Sequence, residues 1–331
     1  MSAPGLFAFG ELTMAHLVST MAYANETPWH GLGNQLPAKQ PLEVWLQVAG
    51  FDWTIKETDV LFNVAEGNGF HVKPHPDSKV LYRSDSFAPL SVVSNRYKVV
   101  QPAEVLEFYR DLVSAGGFEL ETAGVLKGGK KLWALARTGQ EVMLKGGDHV
   151  KGYLLLATSC DGTLCTTAQF TSIRVVCNNT LQMAVGERGG AVKVPHSTTF
   201  DPNLVKQELG IGVSAWDAFM SSIKQMADRK VHKFEAMNFL VNVLGDRDLP
   251  LSEQKNEKAL NNVYALFAGS GKGSDLAAAS GTAWGLLNAV TQYVDHEKRA
   301  RSSDYRLDSA WFGQGASLKA VAFEEAMKLA A

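Results

Sequence analysis

The first half of the chain alternates apolar and polar residues at a period of two. The second half repeats its apolar residues at about 3.6. Residues 51–64 carry Trp53, Ile55, Val60, Phe62 and Val64 in partial strand alternation. Residues 70–73 and 79–83 read as two short strands divided by Pro74 and Pro76, and residues 90–100 as a further strand with Ser94-Asn95-Arg96-Tyr97 in its middle. A helix is predicted over 42–48, since Pro41 suits a helix start and Gly50 a stop. Another begins at Pro102, with a stripe of Val105, Leu106, Phe108, Tyr109 and Leu112, and ends at Gly116-Gly117. The most regular strand signal follows. Residues 118–125 and 132–137 flank Lys127-Gly128-Gly129-Lys130, and residues 149–158 and 164–176 flank Asp161-Gly162, so two hairpins of one antiparallel sheet are predicted. Residues 181–184 read as a short helix that Asn or Thr could cap.

Glycines and prolines cluster over 186–203, and beyond them the helical period takes over. Residues 204–228 place Leu204, Leu209, Val213, Trp216, Met220, Ile223 and Met226 on one stripe, and helices are predicted over 234–244, 252–267, 282–296 and 317–329. The expected fold class is α+β: an antiparallel sheet with packed helices, then a mainly helical part. The expected organisation is an N-terminal extension over 1–24, an α+β domain over 25–200 and a helical domain over 201–331.

Composition narrows the function classes. The 331 residues are 46% apolar and 20% charged, which is globular composition, and a net charge of −2 excludes a globally basic, histone-like protein. Three cysteines, Cys160, Cys165 and Cys177, fit a reducing cytoplasm better than a disulfide scaffold. No 18-residue apolar run exists and the first residues lack a signal peptide's basic region, so neither a membrane span nor secretion is expected. Met14 reads as a second start, which makes the first 13 residues an extension. Charge is unevenly spread. Over residues 127–151, Lys127, Lys130, Lys131, Arg137, Lys145 and Lys151 face only Glu141 and Asp148, a local balance of +4.

Four motifs carry a resemblance: Pro28-Trp29-His30-Gly31-Leu32-Gly33, Ser94-Asn95-Arg96-Tyr97, Arg174 to Leu181 (with Cys177-Asn178-Asn179-Thr180 inside it), and Gly281-Thr282-Ala283-Trp284-Gly285. They resemble the phage/plasmid-like protein family, a domain of unknown function numbered 932. The resemblance implies a mobile-element setting and transfers no settled activity. Separately, the order helix, β-hairpins, helix over 102–185 is similar to the core of ring-forming single-strand annealing recombinases, in which a curved sheet lies against a helix and the strand runs in a basic groove. That likeness is one of topology alone.

Each candidate site has a plain structural alternative. Cys160 and Cys165 lack the paired spacing of a zinc site and read as small strand residues. Cys177 with His30 could form a thiol and its base, but no third group is evident and a buried strand end explains Cys177 as well. Gly269 to Ser274 looks like a phosphate loop, yet Leu266 stands where the first glycine belongs and Gly273 follows the lysine, so it reads as an interhelix loop. Trp29 and His30 pair a stacking ring with a hydrogen-bonding one, or plug a packed turn. Asn178 and Asn179 could read bases or cap a helix.

The basic hairpins suggest a phosphate track, with Arg96, Tyr97, Lys127, Lys130, Lys131, Lys151, Arg174, Asn178 and Asn179 as nucleic-acid-binding residues. Tyr97, Trp133 and Tyr153 are the aromatics within reach. The alternative is a solvated sheet edge guarded by lysines. Lys298, Arg299, Arg301 and Arg306 form a second cluster that could supplement the first. The leading expectation is a mobile-element protein of DNA metabolism that binds single-stranded DNA, with annealing as its activity and a homo-oligomer as its form. The competing expectation is a non-enzymatic host-interaction or counter-defence protein that presents Trp216, Trp284 and Trp311 to a protein partner. No catalytic residue, metal site or cofactor is assigned, since no carboxylate pair or nucleophile constellation is visible.

Overall fold

The structure, a computed structural model, describes residues 18–25, 28, 33–66, 69–114, 116–174, 179–182, 191–209 and 212–331. Among these, no helix is long and apolar enough to cross a membrane.

The chain folds as α+β. Strands β1 (Val18–Ala24) and β2 (Asn34–Leu36) open it, followed by α1 (Leu42–Val48). Next come β3 (Ile55–Glu66), β4 (Gly69–Arg83) and β5 (Pro89–Ser94), then the short helices α2 (Pro102–Glu107) and α3 (Arg110–Ser114). The central strands are β6 (Glu119–Leu126), β7 (Lys131–Leu144), β8 (Asp148–Ser159), β9 (Thr166–Arg174), β10 (Asn179–Gln182) and β11 (Ala191–Val194). Helices α4 (Pro202–Leu209), α5 (Gly212–Asp228), α6 (Lys233–Leu244), α7 (Glu257–Ala265), α8 (Ala283–Gln292), α9 (Ser303–Phe312) and α10 (Gln314–Ala330) complete it.

The main sheet runs β10-β9-β8-β7-β6-β1-β2, with β11 also on the outer edge of β9. It is antiparallel except for the β1–β2 pair. A separate three-stranded sheet runs β3-β4-β5. Both predicted hairpins form. Gly128 and Gly129, with φ of +70° and +112°, turn the chain between β6 and β7 through left-handed backbone that costs glycine little. A Cβ on Gly129 would meet the Trp53 ring at 2.9 Å, so this turn is also a packing contact.

The strand period divides the core in two. Leu132, Ala134 and Ala136 of β7 join Leu154 and Leu156 of β8 on one face, packed with α1, α2, α4 and the small sheet. Trp133, Leu135, Tyr153, Leu155 and Ala157 point to the other face, where α5 to α10 cover them. The sheet is therefore buried on both sides, and cations on these strands can reach solvent only at strand ends and edges.

Four local expectations are corrected. Pro74 and Pro76 do not split β4. Asp59 pairs with Lys79 and Leu61 with Pro74, so His75 to Ser78 bulge opposite Val60, and the ladder resumes beyond them. Ser94-Asn95-Arg96-Tyr97 is the turn that ends β5, not its middle. Of the helix expected over 181–184, residues 181–182 are strand, because the open edge of β9 offers Leu181 and Gln182 ladder partners at Ser172 and Thr171, and residues 183–184 lie outside the described residues. The long helix expected over 204–228 is two, α4 and α5. Strands β1, β2 and β11 and helix α9 gave no signal strong enough to be assigned. All three tryptophans considered for a partner surface, Trp216, Trp284 and Trp311, are buried.

Candidate nucleic-acid interface

The residues singled out on the sheet go to different places. Arg174, at the end of β9, is 2% exposed, and its Nε meets both oxygens of Asp148 at 2.7 and 2.9 Å. Its remaining nitrogens donate to the carbonyls of Lys272 (3.3 Å) and Gly273 (2.8 Å). Trp284 Nε1 donates to the same Asp148 at 3.0 Å. One fully buried carboxylate thus joins a residue of the Arg174 motif to a residue of the Gly281–Gly285 motif, and Arg174 in turn holds the glycine-rich loop. The loop's carbonyls face Arg174, and Lys272 N–H donates to Gln292 Oε1 at 2.8 Å. That use of its backbone is structural.

Lys127 and Lys131, at the β6–β7 turn, converge on Asp308 of α9 at 2.7 and 2.6 Å, and Lys131 is buried. Arg137 pairs with Glu121 and Lys145 with Asp228. Lys130 and Lys151 are half-buried and Arg96 is exposed, and none of the three has an ion pair among the described residues. Tyr97 is half-buried, donates its hydroxyl to the Ser159 carbonyl (2.8 Å), and stacks on His196 at 4.4 Å between ring centroids. Burial pushes its phenol well above the ordinary range. Trp133 and Tyr153 are core residues. Asn179 lies in β10 in register with Arg174. Trp29, His30, Cys177 and Asn178 lie outside the described residues. Burial pushes the Cys160 thiol up to about 12, while Cys165 is exposed.

A denser group of cations without ion pairs lies elsewhere. A cavity of about 770 Å³ opens where α8 gives way to α9, lined by Lys298, Arg299, Arg301 and Arg306 together with Tyr305 and Gln314. Among the described residues no carboxylate lines it and none of the four cations has an ion pair. The local sequence explains its shape. Helix α8 ends in a wider π turn, Tyr293–Glu297, closed by Lys298 N–H donating to the Tyr293 carbonyl at 2.6 Å. Beneath this turn Asp295 is fully buried against Lys319 of α10 at 2.8 Å, a pair that pins the turn to the core. Burial pushes the Lys319 ammonium down, against the pull of Asp295. The chain then leaves as Lys298-Arg299-Ala300-Arg301 and re-enters a helix at Ser302, whose hydroxyl accepts from Tyr305 N–H at 3.4 Å. Arg306 Nε donates back to the Lys298 carbonyl at 3.3 Å.

Tyr305 is 38% exposed, and the Arg301 guanidinium lies 5.5 Å from its ring centre. An aromatic face beside cations in a cleft can hold a phosphate while a planar base rests on the ring. Glu297 turns aside to accept from Gln292 at 3.0 Å. The two basic clusters of the sequence therefore meet on one helix. Asp308 of α9 takes Lys127 and Lys131, and Tyr305 and Arg306 of α9 line the cavity. The second cluster was visible as charge. Tyr305 was not, because α9 itself was not assigned.

No curated protein and no solved structure matches the chain. The model of one family, Domain of unknown function (DUF932), matches residues 89–311, which include Arg174, Trp284 and the segment that forms the cleft, and the chain belongs to that family.

Proposed function

We propose that this protein binds single-stranded DNA in the metabolism of a mobile element such as a phage or plasmid, with strand annealing as the activity to assay. The cleft between α8 and α9 is the proposed contact surface. The observation that carries the reading is the cavity lined by four cations beside a partly exposed tyrosine, with no carboxylate among the described lining residues. Lys298, Arg299, Arg301 and Arg306 neutralise phosphates, and Tyr305 stacks a base. Arg96, Lys130 and Lys151 are left as outlying contacts, while Lys127, Lys131 and Arg174 serve the fold through Asp308 and Asp148. No catalytic nucleophile is required.

An anisotropy titration of fluorescent oligo-dT at two salt concentrations tests this, with inorganic phosphate as competitor. Binding at low salt that falls steeply as salt rises supports it, because counterion release dominates phosphate contacts. No binding at low salt overturns it.

A further inference from the structure

The far half of the β3–β4 hairpin takes no part in the proposed contact surface. β5 accompanies β4 only from Ser78 to Tyr82, so beyond that point the hairpin is a two-stranded arm. Neither outer edge of the arm has a ladder partner among the described residues. It carries large apolar side chains in solvent: Leu61 is 60% exposed, Phe70 76%, Val72 61% and Phe62 44%. Cross-strand partners share a face, so Leu61 and Pro74, Asn63 and Val72, and Ala65 and Phe70 form one uncharged face, with Phe62, Lys73, Val64 and His71 on the other. An isolated two-stranded ribbon is marginal in water, and four exposed large apolar side chains make it more so.

The two edges differ. The β4 edge carries Pro74 and Pro76, which lack an N–H, and Lys73, devices that block strand addition. Over residues 60–65 the β3 edge carries none. Residues 60–65, Val-Leu-Phe-Asn-Val-Ala, are uncharged, free of proline and rich in strand formers. The strand is compatible with a second copy of itself, and charge fixes the register. In an antiparallel pairing of this strand with itself about Phe62, Val60 stands opposite Val64, Asp59 opposite Ala65, and Thr58 opposite Glu66. No like charges face each other, and Phe62 meets its own copy on the axis. A shift of one residue would set Asp59 against Glu66.

We propose that the β3 edge pairs with the β3 edge of a second copy of this chain, forming a two-fold dimer through the arm. The interface is isologous, and it joins two small sheets into one continuous six-stranded sheet. It forms without nucleic acid, so it stands or falls separately from the DNA reading.

Sedimentation velocity over a range of protein concentrations, without DNA, tests it on the full chain. Wild type is expected to dimerise reversibly. Phe62→Lys sets two lysines against each other on the axis and is expected to raise the dimer dissociation constant roughly tenfold or more. Its circular dichroism and melting should match wild type, because the arm is outside the core. Phe70→Lys changes the other strand and face and is expected to leave the dimer intact. A wild-type chain that stays monomeric at every concentration overturns the proposal. So does a Phe62→Lys variant that dimerises like wild type, or dissociation caused by Phe70→Lys alone.

Discussion

Asp148 is the residue on which two of the chain's four motifs converge. It accepts from Arg174, 26 residues away, and from Trp284, 136 residues away. Removing one partner of a buried ion pair strands the other. Asp148→Ala is therefore expected to cost about 3–5 kcal/mol in urea unfolding. Arg174→Lys keeps the charge but loses the fork that also reaches Gly273, so a smaller loss is expected. An unchanged unfolding midpoint in both variants would show that this network does not hold the fold. A surface residue sets a pH dependence. The Arg83 guanidinium beside Asp85 holds that carboxyl down to about 2, below its ordinary 3.8. A depressed carboxylate stabilises the folded state above its ordinary value and loses that contribution as pH falls through the folded one. Asp85→Asn should thus melt below wild type at neutral pH, and the gap should close as pH drops towards about 2. The arginine and tryptophan stood out in the sequence as motif residues. Their shared carboxylate did not, since nothing local in a sequence marks a contact across such separations.

Among the elements, those set by local chemistry were legible and those set by neighbours were not. Helix α1 spans the predicted 42–48, and the Gly-Gly and Asp-Gly hairpins turn where expected, because cap and turn residues act within a few positions. Residues 181–182 were misread because their strand state comes from the open edge of β9, and β4 because a bulge absorbs its prolines. Helix α9 was missed because its buried apolar stripe is thin, Leu307, Ala310 and Trp311 only. With it went Tyr305, the aromatic of the proposed site. The start of α8 supplies a test at this scale. Thr282 caps it by accepting from Gly285 N–H at 3.1 Å, and a Cβ on Gly285 would lie 1.8 Å from the Ala279 carbonyl oxygen. Thr282→Ala is expected to cost about 1 kcal/mol and Gly285→Ala about 1–3 kcal/mol, both read by thermal unfolding. A neutral Gly285→Ala would mean that this close approach is not maintained.

At the scale of the whole molecule, one sheet is covered by helices on both faces, and this decides which charges are free. Buried strands cannot offer their cations as a track, so Lys131 and Arg174 are neutralised inside, while the cations after α8 stand in an open cleft. The central claim is that this cleft, rather than the hairpins, meets the phosphates. The salt dependence of oligo-dT affinity tests it most directly. Wild type is compared with Arg301→Ala/Arg306→Ala and with Lys130→Ala/Lys151→Ala. Each lost phosphate contact on a single strand lowers the log–log slope by about 0.7. The account predicts that the arginine pair lowers it by about 1.4 and the lysine pair by clearly less. An unchanged slope in the arginine variant, or a larger drop in the lysine variant, would contradict it.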